Sequence, residues 1–167
     1  MGLLTFVKSA GEKLFGKGAT QAAAAPQVAQ TAAPDLAAVN RAAADAILAY
    51  IKTQNLDTKA ITITFDGASG TVKVAGSVPD QETKEKIVLC CGNVEGVEHV
   101  DENIIVETVE PEAQFYTVVK GDNLSKISKM HYGDPNKYMT IFEANKPMLK
   151  HPDKIYPGQM LRIPPLS

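Results

Sequence analysis

Residues 61–78 read ITITFDGASGTVKVAGSV, a pattern that predicts a β-hairpin. Within it, residues 61–65 and 71–75 alternate with a period of two between apolar and polar or small residues, which is typical of strands with one buried face. The five residues between them are rich in Asp, Gly and Ser, which turns favour. An isolated hairpin is marginally stable in water, so the flanking segments are expected to cover it.

Helical patterns flank the hairpin on both sides. Before it, apolar residues three or four positions apart predict a helix that begins after an N-cap at Asp35 and ends near Gln54. After it, a second helix is predicted to begin at Pro79 and to end at Gly92. A strand over residues 100–106 closes the unit. The predicted order is therefore helix, strand, strand, helix, strand.

The glycines and valines of this unit resemble the pattern of BON domains. The matching residues are Gly67, Gly70, Val72, Val74, Gly76 and Val78 around the hairpin, then Val94, Gly96, Val97 and Val100 before the last strand. The sequence departs from the family at Glu102, where an asparagine is usual, so the register of the last strand is left open. The resemblance implies a BON-like domain over residues 35–108.

A second unit follows a Glu- and Pro-containing linker at residues 109–114. Residues 115–128 read FYTVVKGDNLSKIS and residues 155–164 read IYPGQMLRIP; they resemble the opening and the closing of a LysM domain. The resemblance implies a β-α-α-β domain over residues 115–165, with a small core of Leu124, Ile127, Ile141, Phe142 and Leu161. The expected fold class is α+β: an α-β-β-α-β unit with an extra N-terminal helix, followed by the LysM-like unit.

The N-terminal fifth has a different composition. Residues 1–18 are predicted to form an amphipathic helix that packs on the BON-like unit, with Leu3, Val7, Ala10 and Leu14 on one face. A first helical piece is expected to end at Gly11. Residues 19–34 contain Ala, Gln, Thr and Pro without a charged residue, a composition that predicts a flexible linker.

Charge and motifs exclude several classes of function. The formal net charge of -2 provides no broad cationic field, so nucleic acid is not expected as a partner. No segment approaches the ~20 apolar residues of a membrane span. The N-terminus lacks a signal-peptide pattern, which favours the cytoplasm. The three histidines lie in different elements and no catalytic motif occurs, so we expect a monomeric binding protein and not an enzyme.

Two adjacent cysteines, Cys90 and Cys91, lie in the second predicted helix. Neighbouring side chains diverge on a helix, so a disulfide between them would be strained. They are predicted to be reduced structural residues, and only one of the two is expected to face the core fully.

The order of segments resembles the bacterial cytoplasmic potassium-binding proteins of BON plus LysM architecture. Residues 6–14, FVKSAGEKL, and 142–150, FEANKPMLK, add to that resemblance. It implies a potassium sensor or buffer, with the Ala-rich linker and the cysteine pair as departures from the family. The ligands that the resemblance implies are the backbone carbonyls of Val7, Lys8, Ala10, Gly92, Val94 and Val97.

Potassium chemistry is compatible with such a site. Rings of backbone carbonyl oxygens can replace the hydration shell of K⁺, so carboxylates are not required. Helices that end at Gly11 and Gly92 each leave their last carbonyls without intrahelical partners. Ordinary glycine-capped helix ends have the same sequence pattern, however, so the pattern alone leaves a purely structural role open.

Two other functions stay open. LysM domains bind N-acetylglucosamine polymers such as peptidoglycan, and the resemblance implies a groove formed by Gly121, Asp122, Asn123, Leu124, Ile155, Tyr156 and Pro157. The same residues are also what a turn, a helix cap and a small core require. A general interaction protein that docks an unidentified cytoplasmic partner is the third hypothesis.

Overall fold

The computed structural model describes residues 36–166 and the backbone of residues 2–5. The helices are α1 (Leu36–Thr53), α2 (Gln81–Gly92), α3 (Leu124–Tyr132) and α4 (Tyr138–Ala144), with a short 3-10 turn at Pro135–Lys137. The strands are β1 (Gly2–Thr5), β2 (Ile61–Asp66), β3 (Thr71–Asp80), β4 (His99–Thr108), β5 (Gln114–Thr117) and β6 (Met160–Ile163). The mixture confirms the predicted α+β class.

The first unit is a four-stranded sheet covered by two helices. Its strand order is β1-β4-β3-β2; β3 and β4 are parallel, and the other two pairs are antiparallel. Helix α2 makes the crossover between the two parallel strands, as such pairs require. Alternate strand residues such as Val72 and Val74 are buried against Ile47 and Ile51 of α1 and Ile87 of α2. These residues form one continuous core.

The hairpin and both flanking helices are confirmed, with one correction at the start of α2, while the predicted N-cap Asp35 lies outside the described residues. The helix begins at Gln81 and not at Pro79, because the Asp80 side chain caps it by accepting a 2.7 Å hydrogen bond from the Thr83 N–H. Pro79 therefore belongs to β3, which is longer than the sequence pattern predicted.

The predicted N-terminal helix is wrong at its first residues. Gly2–Thr5 form β1, which pairs antiparallel with β4 so that Leu4 lies opposite Val100 and Thr5 opposite His99. Without β1, the outer edge of β4 would present a row of unpaired backbone groups, so pairing there outweighs the weak helical preference of four residues. Residues 6–18 and the predicted linker at 19–34 lie outside the described residues.

The second unit has the predicted strand, helix, helix, strand order. Strands β5 and β6 are antiparallel, and the five predicted core residues are all buried in one cluster. Helix α3 begins after Asn123, whose side chain accepts a hydrogen bond from the Lys126 N–H, and ends at Gly133 in the left-handed conformation.

Helix α2 is buried on two sides, which corrects the prediction for the cysteines. Cys90 and Cys91 are 2% and 0% exposed, although only one of them was expected to face the core fully. The reason is that the second unit covers the other side of α2: the Cys90 sulfur lies 3.8 Å from the sulfur of Met148. Both thiols are free, as predicted.

Candidate functional site

The described residues of the predicted ligand set lie around one loop, residues 93–98, between α2 and β4. Gly92 is the last residue of α2, and Val94 and Val97 are 3% and 1% exposed. The apolar side chains of Val94 and Val97 are buried in the core of the first unit, so what these two residues offer a ligand is their main chain. The structure therefore places Gly92, Val94 and Val97 at the end of α2 and in the loop that follows it.

The hydrogen bonds of the loop show how its carbonyls are used. The N–H groups of Asn93 and Val94 donate to the carbonyls of Leu89 and Cys91, and the Val97 N–H donates to the Val94 carbonyl at 3.2 Å. Within residues 36–166, no hydrogen bond outside the regular elements ends on the carbonyl of Gly92 or Val97. The Gly92 and Val97 carbonyl oxygens can therefore accept a hydrogen bond or bind a cation, and so can the second lone pair of the Val94 carbonyl oxygen.

The local electrostatics favour a cation. The loop begins at the C-terminus of α2, where the aligned peptide dipoles place a partial negative charge. Gly96 turns the loop with φ +86°, a conformation that L side chains rarely adopt, and it is exposed. The end of α2 and the turn at Gly96 thus lie within a few residues of each other, and several main-chain carbonyls belong to this short segment.

The pairing of β1 with β4 determines at which end of the sheet β1 finishes. Because β1 runs antiparallel to β4 and Thr5 lies opposite His99, the chain leaves β1 at the end of the sheet where β4 begins. The predicted ligands Val7, Lys8 and Ala10 lie outside the described residues. Val7 is two residues beyond Thr5, and two residues of extended chain span at most about 7 Å.

Sequence reasoning missed Asn93, the first residue after α2. It is 1% exposed, and its side chain forms two hydrogen bonds with the main chain of Met160 in β6: the Met160 N–H donates to Oδ1, and Nδ2 donates to the Met160 carbonyl, each at 3.2 Å. An Asn after a helix end looks like an ordinary cap in the sequence. Nothing in the local pattern indicates a partner 67 residues away.

A buried ion pair joins the two units at the other end of α2. Glu85 and Arg162 are 3% and 7% exposed, and the Arg162 Nε donates to Glu85 Oε2. The other carboxylate oxygen of Glu85 accepts hydrogen bonds from the Ala113 N–H at 2.8 Å and from the Gln81 side chain at 2.9 Å. Every oxygen of this buried carboxylate therefore has a partner.

The predicted glycan-groove residues lie in two adjoining loops of the second unit and at the first residue of α3. The two loops approach each other where the Gly158 N–H donates to the Val118 carbonyl at 2.7 Å. Asp122 accepts hydrogen bonds from the Tyr116 hydroxyl and the Val119 N–H, and that carboxylate raises the pKa of Tyr116.

Several of these residues have structural roles. Asn123 caps α3, Leu124 is buried in the core and Ile155 packs against it. The exposed or half-buried remainder is Gly121, Tyr156 and Pro157.

Side-chain metal clusters and membrane-spanning helices are both absent from residues 36–166. No group of three or more His, Cys, Asp or Glu side chains there could hold a metal ion. No helix in that range is both long and apolar enough to cross a bilayer.

Comparison with known proteins identifies both units and a full-length relative. The BON domain family matches residues 39–108, and the LysM domain family matches residues 116–164. The chain is 45% identical over 171 residues to the potassium binding protein Kbp of Escherichia coli O6:H1, an alignment that covers 98% of this chain and 99% of that protein. An uncharacterized protein of Deinococcus radiodurans is 51% identical over 49 residues, which are 29% of this chain and 19% of that protein.

Proposed function

This chain belongs to the BON and LysM domain family of the potassium binding protein Kbp, and from that premise we propose that it binds potassium ions. The full-length likeness to a protein named for potassium binding carries the proposal. We further propose that the protein acts in the cytoplasm as a potassium sensor or buffer, as a monomer and without catalytic activity. An unidentified cytoplasmic protein would receive the signal.

The ion is held by main-chain carbonyls in this proposal: those of Gly92, Val94 and Val97 from the loop after α2, and those of Val7, Lys8 and Ala10 from the N-terminal segment. Two observations support the loop carbonyls. They lie at the negative end of α2, and their hydrogen bonds with other described residues leave acceptor capacity. Neutral oxygens of this kind suit K⁺, whereas Ca²⁺ and Mg²⁺ prefer charged or strongly hydrated shells.

The β1–β4 pairing supports the contribution of the N-terminal segment. Thr5 is held opposite His99, one residue beyond the 93–98 loop, so Val7 starts from a fixed point near the proposed site. The two ligand groups are separated by more than eighty residues in sequence. Ion binding would therefore stabilise the sheet across β1 and β4.

The direct test is calorimetry with KCl, RbCl, CsCl, NaCl and CaCl₂, together with thermal melts at matched ionic strength. We expect the three large monovalent ions to bind more tightly than sodium or calcium. At a hundredfold excess over its dissociation constant, potassium stabilises the folded state by ~2.7 kcal/mol. Equal melting temperatures in potassium and sodium chloride, together with the absence of binding heat for potassium, would contradict the proposal. A chitooligosaccharide arm tests the LysM alternative: stabilisation by the oligosaccharide alone would favour glycan binding.

A matched pair of deletions tests the ligand set. Deleting Val7–Ala10 keeps residues 2–5 and removes three proposed ligands, so potassium affinity is expected to be lost. Deleting Ala22–Ala25 removes the same number of residues from the Ala-rich stretch and is expected to leave the affinity nearly unchanged, because loop-closure entropy depends only weakly on length. If both deletions retain full affinity, the N-terminal ligands are wrong.

A further inference from the structure

We propose that Asn93 is a positioning residue that couples the ion site to the LysM unit, by completing the free edge of strand β6. This inference rests on the proposed potassium site in the loop that contains Asn93. It assigns the LysM unit a role in holding that loop, and it predicts that potassium and the docking of the LysM unit stabilise each other.

The free edge of β6 is where the coupling originates. Strand β6 pairs with β5 on one side, so the alternate residues Met160 and Arg162 direct their N–H and carbonyl groups to the other side. Each forms two hydrogen bonds with one asparagine side chain: its N–H donates to the amide oxygen, and its carbonyl accepts from the amide nitrogen. Asn145 pairs with Arg162, with both distances at 2.8 Å, and Asn93 pairs with Met160, with both distances at 3.2 Å.

The two asparagines differ in the unit to which they belong. Asn145 follows α4 of the LysM unit and satisfies the edge from within that unit. Asn93 belongs to the BON unit, so separation of the units would leave the Met160 N–H and carbonyl without these partners. Removing a partner from a buried polar group is costly, and Asn93 and Met160 are 1% and 8% exposed.

The position of Asn93 in the loop connects this edge to the ion. It lies between Gly92 and Val94, two of the proposed ligands, so its side-chain bonds restrict the orientation of the peptide groups on either side. The Asn93 amide also lies 4.0 Å from the Met148 sulfur, on the same side of α2 as Cys90. A loop held in this way is preorganised for the cation, and linkage requires that the cation in turn favours the docked arrangement.

Amide hydrogen exchange of the full-length protein tests the coupling with two neighbouring amides of one strand. With potassium in place of sodium at equal ionic strength, exchange of the Met160 amide is expected to slow by about tenfold. The Arg162 amide is bonded to Asn145 of its own unit and is expected to change much less. Equal potassium dependence of the two amides, or none at Met160, would overturn the coupling.

The Asn93→Ala variant measures the same coupling from the ion site. Loss of two hydrogen bonds is expected to weaken potassium binding by about tenfold and to abolish the potassium dependence of Met160 exchange. Asn40→Ala is the matched control, because the Asn40 side chain accepts a 3.1 Å hydrogen bond from the Gly67 N–H within the BON unit alone. It is expected to leave potassium affinity within about twofold of the parent.

These outcomes separate the coupling from the proposed function. Unchanged potassium affinity in Asn93→Ala, with normal binding heat in the parent, would overturn the role of Asn93 and leave potassium binding intact. Absence of binding heat in the parent would remove both. The exchange experiment uses the unmodified protein. It therefore tests the coupling even if Asn93→Ala folds poorly.

Discussion

Replacing Arg162 by Met is expected to destabilise the protein more than any exposed ion-pair substitution. The change leaves Glu85, which is 3% exposed, with the Ala113 N–H and the Gln81 amide but without its positive partner. Breaking a buried ion pair from one side typically costs 3–5 kcal/mol. At roughly 2–4 °C per kcal/mol for a chain of this size, the melting temperature is expected to fall by about 10 °C.

The double variant Arg162→Met with Glu85→Gln identifies the cause. A glutamine at position 85 removes the buried charge, and its carbonyl can still accept the hydrogen bond from Ala113. We therefore expect the double variant to recover about 2 kcal/mol or more relative to the sum of the single changes. Urea denaturation of the four proteins, read by circular dichroism, gives that interaction energy.

A surface pair on the same helix serves as the control for this cycle. Lys86 and Glu82 form a 2.7 Å ion pair in which the Glu82 side chain is 49% exposed. Lys86→Met is therefore expected to cost less than about 1 kcal/mol. If Arg162→Met costs no more than Lys86→Met, or if the double variant shows no recovery, the pair does not stabilise the contact between the units.

Three further predictions concern two glycines and the cysteine pair. Gly76→Ala is expected to disrupt the first sheet, because a Cβ there would lie 1.9 Å from the Ala60 carbonyl oxygen. A Cβ at Gly133 would have no atom within 4 Å, so Gly133→Ala is expected to cost only about 1–2 kcal/mol of backbone strain. Thermal melts of the two variants compare these costs. Burial raises the pKa of the Cys90 thiol to about 12 from its ordinary 9.0, so the folded state keeps a proton that the unfolded state releases and stability is expected to fall as pH rises across that range. Urea titrations at about pH 8 and about pH 10.5 should show a smaller loss for Cys90→Ala, and an equal loss would contradict the burial argument. Replacing both Cys90 and Cys91 by Ser is expected to lower the unfolding free energy by about 1–3 kcal/mol per buried hydroxyl. The free energy of potassium binding, measured by calorimetry, is expected to change by less.

The elements that the sequence predicts correctly are those determined by neighbours in the chain. The hairpin follows from alternation and a turn-forming segment, and the LysM-like core follows from apolar residues at helical and strand spacing. The end of α2 at Gly92 is likewise a local event, and the sequence predicts it correctly, whereas the ligand role of the residues beside it stays a prediction. Each of these features requires only residues within a few positions of one another.

The features that were missed depend on partners far away in the sequence. Gly2–Thr5 form a strand because β4 offers an edge nearly a hundred residues later, and no local pattern reports that edge. Cys90 is buried because Met148 covers it from the other unit, and periodicity within a single helix cannot include a second covering surface. Helix α2 therefore has two buried sides, which an amphipathic pattern with one apolar face does not describe.

A cation site made of main-chain carbonyls adds a further limit to sequence-based prediction, because its ligands carry no side-chain signature. What the sequence does determine is the set of residues that shape the loop: the glycine that turns it at position 96, the valines that anchor it, and Asn93. Of these, Asn93 is the polar one whose partner lies in the other unit. Substitutions that change potassium affinity without unfolding the protein are therefore expected at such anchoring positions, where the orientation of a peptide group changes while its oxygen remains.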